Sequence, residues 1–184
     1  MFKTTFIAAA TALGLSATFA NAENPMVGGA PMFANKTIVE NAVNSKDHET
    51  LVAAVKTAGL VDVLNSDGPF TVFAPTDAAF GLLKDGTVEA LVQPQHKAQL
   101  ANILKCHVVG ADAMAMTIKG MIDDGGGSHT VQTLGSCTLQ ATYRGDKIML
   151  EDERGRTINV TIADVDQSNG VIHVVDRVIL PPQS

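Results

Sequence analysis

The sequence predicts an α+β domain in which helices pack on two small, mainly antiparallel β-sheets that share one core. In the first half of the chain, apolar residues recur at helical spacing, whereas short strands separated by glycine-containing turns follow the glycine run at 125–127. Apolar residues make up 46% of the chain and aromatic residues only 4%, so we expect a core built mainly from Val, Ile, Leu and Ala.

The N-terminus has the pattern of a secretory signal peptide over residues 1–22. Lys3 precedes an apolar run at 6–20, and the small residues at 20–22 suit cleavage. A membrane-spanning helix is the alternative, but spanning requires about 20 apolar residues and this run is shorter. We therefore expect a secreted or periplasmic product, with a flexible leader at 23–36 and one domain at 37–184.

The predicted helices lie mostly in the first half. Leu51, Val52, Val55 and Ala58 share one face of a helix over 50–59, and Gly59 is suited to end it. Further helices are predicted to open at 93–94 and to run over 111–124.

A short strand over 70–73 is halted by Pro75, and Thr76 is suited to cap the helix that follows and turns Phe80 inward. Thr87 is predicted to cap another helical turn. After the glycine run, strands are predicted at 130–134, 138–143, 147–151, 157–166 and 171–179. The last of these is apolar on both faces, which indicates a central strand.

Two distant motifs and a segment between them carry a family resemblance. Thr-Asp-Ala-Ala-Phe stands at 76–80, Asn-Gly-Val-Ile-His-Val-Val-Asp at 169–176, and Leu-Lys-Cys-His-Val-Val at 104–109. Together they resemble the motifs of the fasciclin-like domain family, with cysteine where the family usually has tyrosine, over about residues 37–181. The resemblance implies a fasciclin-like fold and a secreted or surface module for adhesion and protein interaction, with neither a catalytic centre nor a cofactor. The motif residues expected to have structural roles are Thr76, Asp77, Phe80, His173 and Asp176.

Cys106 and Cys137 are the two cysteines of the chain. An even number of cysteines in an exported protein favours a disulfide between them. Two separately buried thiols are the alternative, because sequence does not determine the separation of the two side chains.

Arg144-Gly145-Asp146 falls between two predicted strands. Integrin-type receptors recognise this tripeptide when a turn displays it, which makes these residues candidates for binding. Gly-Asp is also what an ordinary hairpin turn selects, so a plain turn is the competing interpretation.

A second candidate binding segment surrounds Asp164. The resemblance implies that Asp164 and Val165 contact a receptor, because the matching pair does so in animal relatives. Asp166, Asn169 and Gly170 belong to the same segment, in which the carboxylates could solvate a strand end and Asn-Gly could form a tight turn. No metal site is expected here, because Asn169 and Val175 stand where a calcium-binding EF-hand loop requires Gly and Glu.

His107 and His173 both lie among valines, which favours packed, hydrogen-bonded core histidines over ligands or bases. The resemblance keeps His107 as a weaker binding candidate. The sequence contains neither a Gly-x-Ser-x-Gly motif nor metal-ligand spacing among its histidines, so we expect no enzyme.

Two hypotheses of function remain. The first is a non-catalytic module, monomeric or weakly oligomeric, that binds a surface or matrix protein or glycan. A formal charge of −6 disfavours nucleic acid and anionic membranes as partners. The second is a soluble carrier of a small apolar ligand, lined by Met114, Met116, Met121 and Met149, although methionines at helical spacing also serve as core filler.

Overall fold

The computed structural model describes residues 24–182. The helices are α1 (Ile38–Ala42), α2 (Glu49–Ala58), α3 (Val61–Leu64), α4 (Asp77–Gly81), α5 (Thr87–Leu91), α6 (Lys97–Lys105) and α7 (Ala115–Asp124), with a 3-10 turn at Pro94–His96. The strands are β1 (Met26–Val27), β2 (Ala30–Pro31), β3 (Phe70–Pro75), β4 (Val108–Val109), β5 (Ser128–Gln132), β6 (Thr138–Arg144), β7 (Lys147–Glu151), β8 (Thr157–Gln167) and β9 (Gly170–Val175). The predicted signal peptide lies outside the described residues.

Seven strands form one sheet in the order β4-β3-β9-β8-β7-β6-β5, and β1 with β2 forms a separate hairpin. The prediction of two small sheets is therefore confirmed only in part, because the structure has two sheets but one of them contains seven strands. The reason is the length of β8, whose first residues pair with β7 and whose remainder pairs with β9, so that one strand joins both halves. All pairings in the large sheet are antiparallel except that of β3 with β9, which is parallel.

The interior consists of two hydrophobic clusters rather than the one core that was expected. Side chains alternate between the faces of a strand, and both faces of β3 are covered. Val72 and Ala74 belong to the first cluster with the α2 and α6 side chains, whereas Phe73 belongs to the second with Ile118 and Leu150. As the sequence predicted, β9 is central, and all six of its residues are buried.

The helix boundaries follow local signals, with one exception. Gly59 ends α2 in the left-handed conformation at φ 73°, and the Thr76 hydroxyl accepts the Ala79 N–H at the start of α4. Thr87 is not a cap, because Gly86 precedes α5 at φ 79° and occupies the capping position itself. A positive φ strongly favours glycine there.

The segment expected to be a flexible leader is ordered from residue 24 onward. Its β1–β2 hairpin places Val27 and Met32 in the first cluster, where both are buried. The Lys46 N–H also donates to the Gly28 carbonyl at 3.2 Å. We predicted a flexible leader from the Pro and Gly content of this segment. That prediction did not take into account Val27 and Met32, the two apolar residues that cover the core.

The last strand ends at Val175, four residues earlier than predicted, because the chain then turns away through side-chain hydrogen bonds. The Asp176 carboxylate accepts the Asn159 N–H at 2.8 Å and the Asn159 side-chain amide at 2.7 Å. Arg156 bonds to the buried Asp152 carboxylate, and it also donates at 3.1 Å to the carbonyl of Val178, which lies two residues after Asp176. These contacts hold the C-terminal segment against the second cluster.

Cys106 and Cys137 form the expected disulfide, with Cα atoms 5.2 Å apart. It joins the end of α6 to the chain just before β6. The Leu134 N–H donates to the Val108 carbonyl at 2.7 Å, so a second contact links the chain after β5 to β4. The two edges of the curved sheet are therefore tied together.

Among the helices of residues 24–182, none has the length and apolar character needed to cross a bilayer.

Replacing both cysteines by alanine should lower the free energy of unfolding by roughly 3 to 4 kcal/mol, because the cross-link joins residues 31 apart and restricts the unfolded chain. Urea denaturation at pH 7 measures this. Wild type in excess reductant should approach the variant, and a loss below about 1 kcal/mol would show that the cross-link adds little to the packing around it.

Candidate functional site

The best-defined candidate site is a bulge in β8 at Asp164. The pairing of β8 with β9 shifts register between Ile162 and Val165. Asp164 lies in this shift with φ 56°, a backbone conformation that Asp tolerates better than most residues. Bulges redirect side chains, and this one turns the Asp164 carboxylate toward the start of α7.

Two hydrogen bonds fix Asp164 in place. Its carboxylate Oδ1 accepts the Ala115 N–H at 2.6 Å, which supplies a partner to a free backbone donor at the N-terminus of α7. Its own N–H donates to Nδ1 of His173 at 3.2 Å. The helix predicted from residue 111 therefore begins at Ala115, where this carboxylate caps it.

His173 lies beneath the bulge, fully buried in β9. Its Nε2 lies 2.8 Å from the Ala113 carbonyl and donates to it, because Nδ1 is occupied as an acceptor. The ring stacks on Phe73 with centroids 5.7 Å apart. Burial lowers the pKa of His173, while the Ala113 carbonyl, Asp164 and Asp112 act in the opposite direction. A neutral imidazole thus connects β9, β8 and the approach to α7.

Exposed side chains surround the bulge. Met116, on the first turn of α7, is 75% exposed and Ile162 is 37% exposed. Ala163 and Asp164, which follow Ile162 in β8, are also exposed. We call these four residues the Asp164 surface. It combines apolar side chains with a carboxylate held at a set position, which suits recognition of another molecule. Asp166 is exposed two residues farther along β8.

Val165 was a candidate contact residue, and the structure contradicts this assignment. After the bulge Val165 pairs with Ile172 and is fully buried in the first cluster. The large apolar residues of β8 alternate at positions 158, 160 and 162, but the next one stands at 165 instead of 164. This break in the alternation is the sequence signal by which the bulge could have been found.

Asn169 and Gly170 are also buried, so they do not contact a partner directly. The Asn169 side chain donates to the Leu64 carbonyl at 2.8 Å and accepts the Ile38 N–H at 3.0 Å. A Cβ on Gly170 would lie 1.9 Å from the Phe70 carbonyl oxygen. The β8–β9 turn is formed by Ser168 and Asn169, whereas Gly170 is the first residue of β9, so the two loop residues are Ser-Asn and not Asn-Gly.

His107 is likewise buried, which removes it as a contact candidate. It follows α6 instead of lying in a strand, and its Nδ1 donates to the Ile103 carbonyl at 2.8 Å while Nε2 accepts the Ile179 N–H at 2.9 Å. Burial lowers the pKa of His107 to about 4. Its role here is to attach the C-terminal segment to the core.

The Arg144-Gly145-Asp146 tripeptide is exposed at the tip of the β6–β7 hairpin. Arg144 pairs with Lys147, so Gly145 and Asp146 form a two-residue loop, with Gly145 at φ 62°. Glycine at the first loop position is what a type II′ hairpin turn requires. The hairpin requirement therefore accounts for the Gly-Asp pair without a receptor.

The remaining motif residues lie at joints of the fold. Asp77 accepts the Thr50 N–H at 2.8 Å and the Glu49 N–H at 3.3 Å, so it caps α2 from a distant part of the chain. Thr76 caps α4 and Phe80 is buried in the first cluster. The sequence analysis identified the Thr76 cap, but it missed that Asp77 caps α2, a helix that lies earlier in the chain.

A cavity of about 60 Å³ lies in the first cluster, lined by apolar side chains together with Ser45 and His48. These two form a buried hydrogen bond of 2.8 Å between Oγ and Nδ1, a pair absent from the sequence-based candidates. A cleft of about 150 Å³ lies between β4, β5 and α7, and Met121 lines it. In residues 24–182 no group of three or more His, Cys, Asp or Glu side chains is arranged to hold a metal ion.

Comparisons with known proteins place the chain in a family. The fasciclin domain profile matches residues 46–181. Protein sll1483 of Synechocystis sp. (strain ATCC 27184 / PCC 6803 / Kazusa) is 44% identical over 146 residues, which span 79% of this chain and 74% of the relative. Transforming growth factor-beta-induced protein ig-h3 of Sus scrofa is 33% identical over 79% of this chain and 19% of the relative.

A solved FAS1 domain pair from the insect cell adhesion molecule fasciclin I has the same fold, with a TM-score of 0.70, 20% identity, and coverage of 79% of this chain and 51% of that chain. The protein therefore has the fold of a FAS1 domain. It belongs to the fasciclin domain family.

Substitutions at Asp164 should separate its two structural roles. Asp164→Ala loses the α7 cap and tolerates φ 56° poorly, so the free energy of unfolding should fall by about 2 kcal/mol. Asp164→Asn keeps an acceptor and tolerates the same φ, so the change should stay within about 0.5 kcal/mol. Urea denaturation at pH 7 measures both, and equal losses in the two variants would contradict the capping role.

Proposed function

We propose that this protein is a non-catalytic interaction module outside the cytoplasm, which binds a protein or glycan of a cell surface or matrix through the Asp164 surface. Membership of the fasciclin family supports the general class, since a domain pair of the same fold comes from a cell adhesion molecule. The apolar run near the N-terminus, with its small residues at 20–22, supports the location.

The observation that carries the proposal is the exposure of Met116 and Ile162 beside a carboxylate in a fixed backbone conformation. Large apolar side chains that remain exposed next to an oriented polar group are typical of binding surfaces. Asp164 is held on two sides, by Ala115 and by His173, so little conformational entropy is lost when a partner binds it.

The alternative of a small-ligand carrier has less support. Pockets for drug-sized ligands have volumes of roughly 300 to 1,000 Å³. The cavity of the first cluster is about 60 Å³ and the cleft beside α7 about 150 Å³. The methionines proposed to line a carrier site are also dispersed, with Met121 in the cleft and Met116 at the surface.

One copy of the domain presents a small contact area, so we expect modest affinity for each copy. Stable protein interfaces bury about 800 Å² on each side, whereas four exposed residues cover a fraction of that. Adhesion would then require clustered copies or a multivalent partner, which raises the effective concentration of each binding site.

The binding test uses Asp164→Asn, because Asp164→Ala also disturbs α7. The asparagine keeps the cap and removes the charge, so retention of labelled protein on intact cells of the producing organism should fall at least about tenfold. Asp85→Asn is the matched control, since Asp85 is an exposed carboxylate outside the Asp164 surface, and its retention should equal that of wild type.

Asp146→Asn tests the tripeptide at the hairpin tip and should leave retention unchanged. Full retention of Asp164→Asn would contradict the assignment of the site. If Asp146→Asn alone abolished retention, the β6–β7 hairpin would be the binding surface.

A further inference from the structure

Below the Asp164 surface, one buried histidine holds both elements that form it. The Nδ1 atom of His173 accepts the Asp164 N–H at 3.2 Å, and Nε2 donates to the Ala113 carbonyl at 2.8 Å. Ala113 lies two residues before α7, and Asp164 caps the first residue of that helix. The backbone positions of the bulge and of the α7 start therefore both depend on the protonation state of a single ring.

The hydrogen-bond pattern is compatible only with a neutral ring. An imidazolium carries a hydrogen on both nitrogens, and a backbone N–H has no lone pair with which to accept one. Protonation would therefore set the Nδ1 hydrogen against the Asp164 N–H. One charged acceptor near the ring is the Asp164 carboxylate, which already accepts the Ala115 N–H.

The groups around His173 favour that exchange. Asp164 on β8 and Asp112 in the segment before α7 are the charged groups near the ring, and both favour its protonation. From β3 the ring faces the uncharged Phe73, on which it stacks. A protonated ring is thus attracted to carboxylates on β8 and before α7, and a turn of the Asp164 carboxylate toward the ring would remove it from α7.

We propose that His173 is a proton-operated latch beneath the Asp164 surface: in mild acid it draws Asp164 away from α7, separates the two halves of the surface and weakens binding to the partner. The effect on binding rests on the function proposed above, whereas the movement of Asp164 is a property of the domain alone. A module of this kind would release its partner in acidified surroundings.

The pH window follows from the sign of the shift. We call the state in which Asp164 caps α7 closed, and the state in which it has moved away open. Burial lowers the pKa of His173 below its ordinary value of 6.5, so the unfolded or open state binds the proton more readily than the closed state. The closed latch is therefore most stable above pH 6.5 and loses stability as the pH falls below that value.

The test follows backbone amides of the wild-type protein by NMR between pH 7 and pH 5. The Ala115 and Asp164 amides should shift together and lose hydrogen-exchange protection, after correction for intrinsic rates, by up to about tenfold per pH unit. The Ile179 amide bonds to His107 and serves as the matched control for a second buried histidine. Its chemical shift should stay nearly constant over this range, because the pKa of the buried His107 is about 4 and the ring stays neutral in the folded protein.

His173→Asn supplies an acceptor that does not titrate, and in this variant the Ala115 and Asp164 amides should be insensitive to pH over the same range. Unchanged protection of both amides in wild type at pH 5 would overturn the latch, as would an equal change of chemical shift at Ile179. The wild-type measurement stands by itself if the variant does not fold.

The cell-retention assay separates the latch from the proposed function. Retention of wild type that weakens several-fold at pH 5, and retention of His173→Asn that does not, would support both. Strong retention that is equal at pH 7 and pH 5 would overturn the latch and leave the binding role intact. A pH response of the Ala115 amide without retention at either pH would support the movement of Asp164 and contradict the proposed function.

Discussion

The parallel pairing of β3 with β9 brings together parts of the chain that are about 100 residues apart, and the other elements are arranged around it. Six residue pairs connect the strands, from Phe70 with Gly170 to Pro75 with Val175. The pair lies between the two hydrophobic clusters, so each strand contributes side chains to both. Non-local pairing of this kind carries a large loop-closure cost, which burial on both faces must offset.

The two sequence motifs take their positions from this pair. Thr76 and Asp77 follow β3 directly and cap α4 and α2, so the strand end orients two helices. Asn169 precedes β9 and bonds to Ile38 at the start of α1 and to Leu64 at the end of α3. The motifs thus connect elements of the fold, and they support β8 and α7, on which the proposed binding surface lies.

Much of the secondary structure could be predicted because its signals are local. The alternation of β7 and β8, the apolar face of α2 and the two-sided burial of β9 are all visible in the sequence. The single seven-stranded sheet was not predictable in this way, because it results from one strand, β8, that pairs on both sides along different parts of its length. The β1–β2 hairpin was missed because Val27 and Met32 show no periodicity and find their partners only in the folded core.

The candidate site could also be predicted only in part, because some of its contacts join residues that are far apart in the sequence. Asp164 was found by resemblance, but its reason for being an aspartate is its contact with Ala115, 49 residues away. Val165 follows it in sequence and faces the interior, because the bulge changes which face each residue occupies. Met116 was considered as a lining residue of a carrier site or as core filler, and the structure places it at the surface, one residue after the Ala115 that Asp164 caps.

The most direct test of the central role of the β3–β9 pair compares two glycine-to-alanine substitutions by urea denaturation. Gly170 at φ 149° allows the close approach of β9 to the Phe70 carbonyl, whereas Gly155 at φ 70° faces open space. Gly155→Ala should cost about 1 to 2 kcal/mol from backbone strain alone. Gly170→Ala should cost more than about 3 kcal/mol because it also forces the strands apart. Equal losses would contradict the view that this pairing organises the domain.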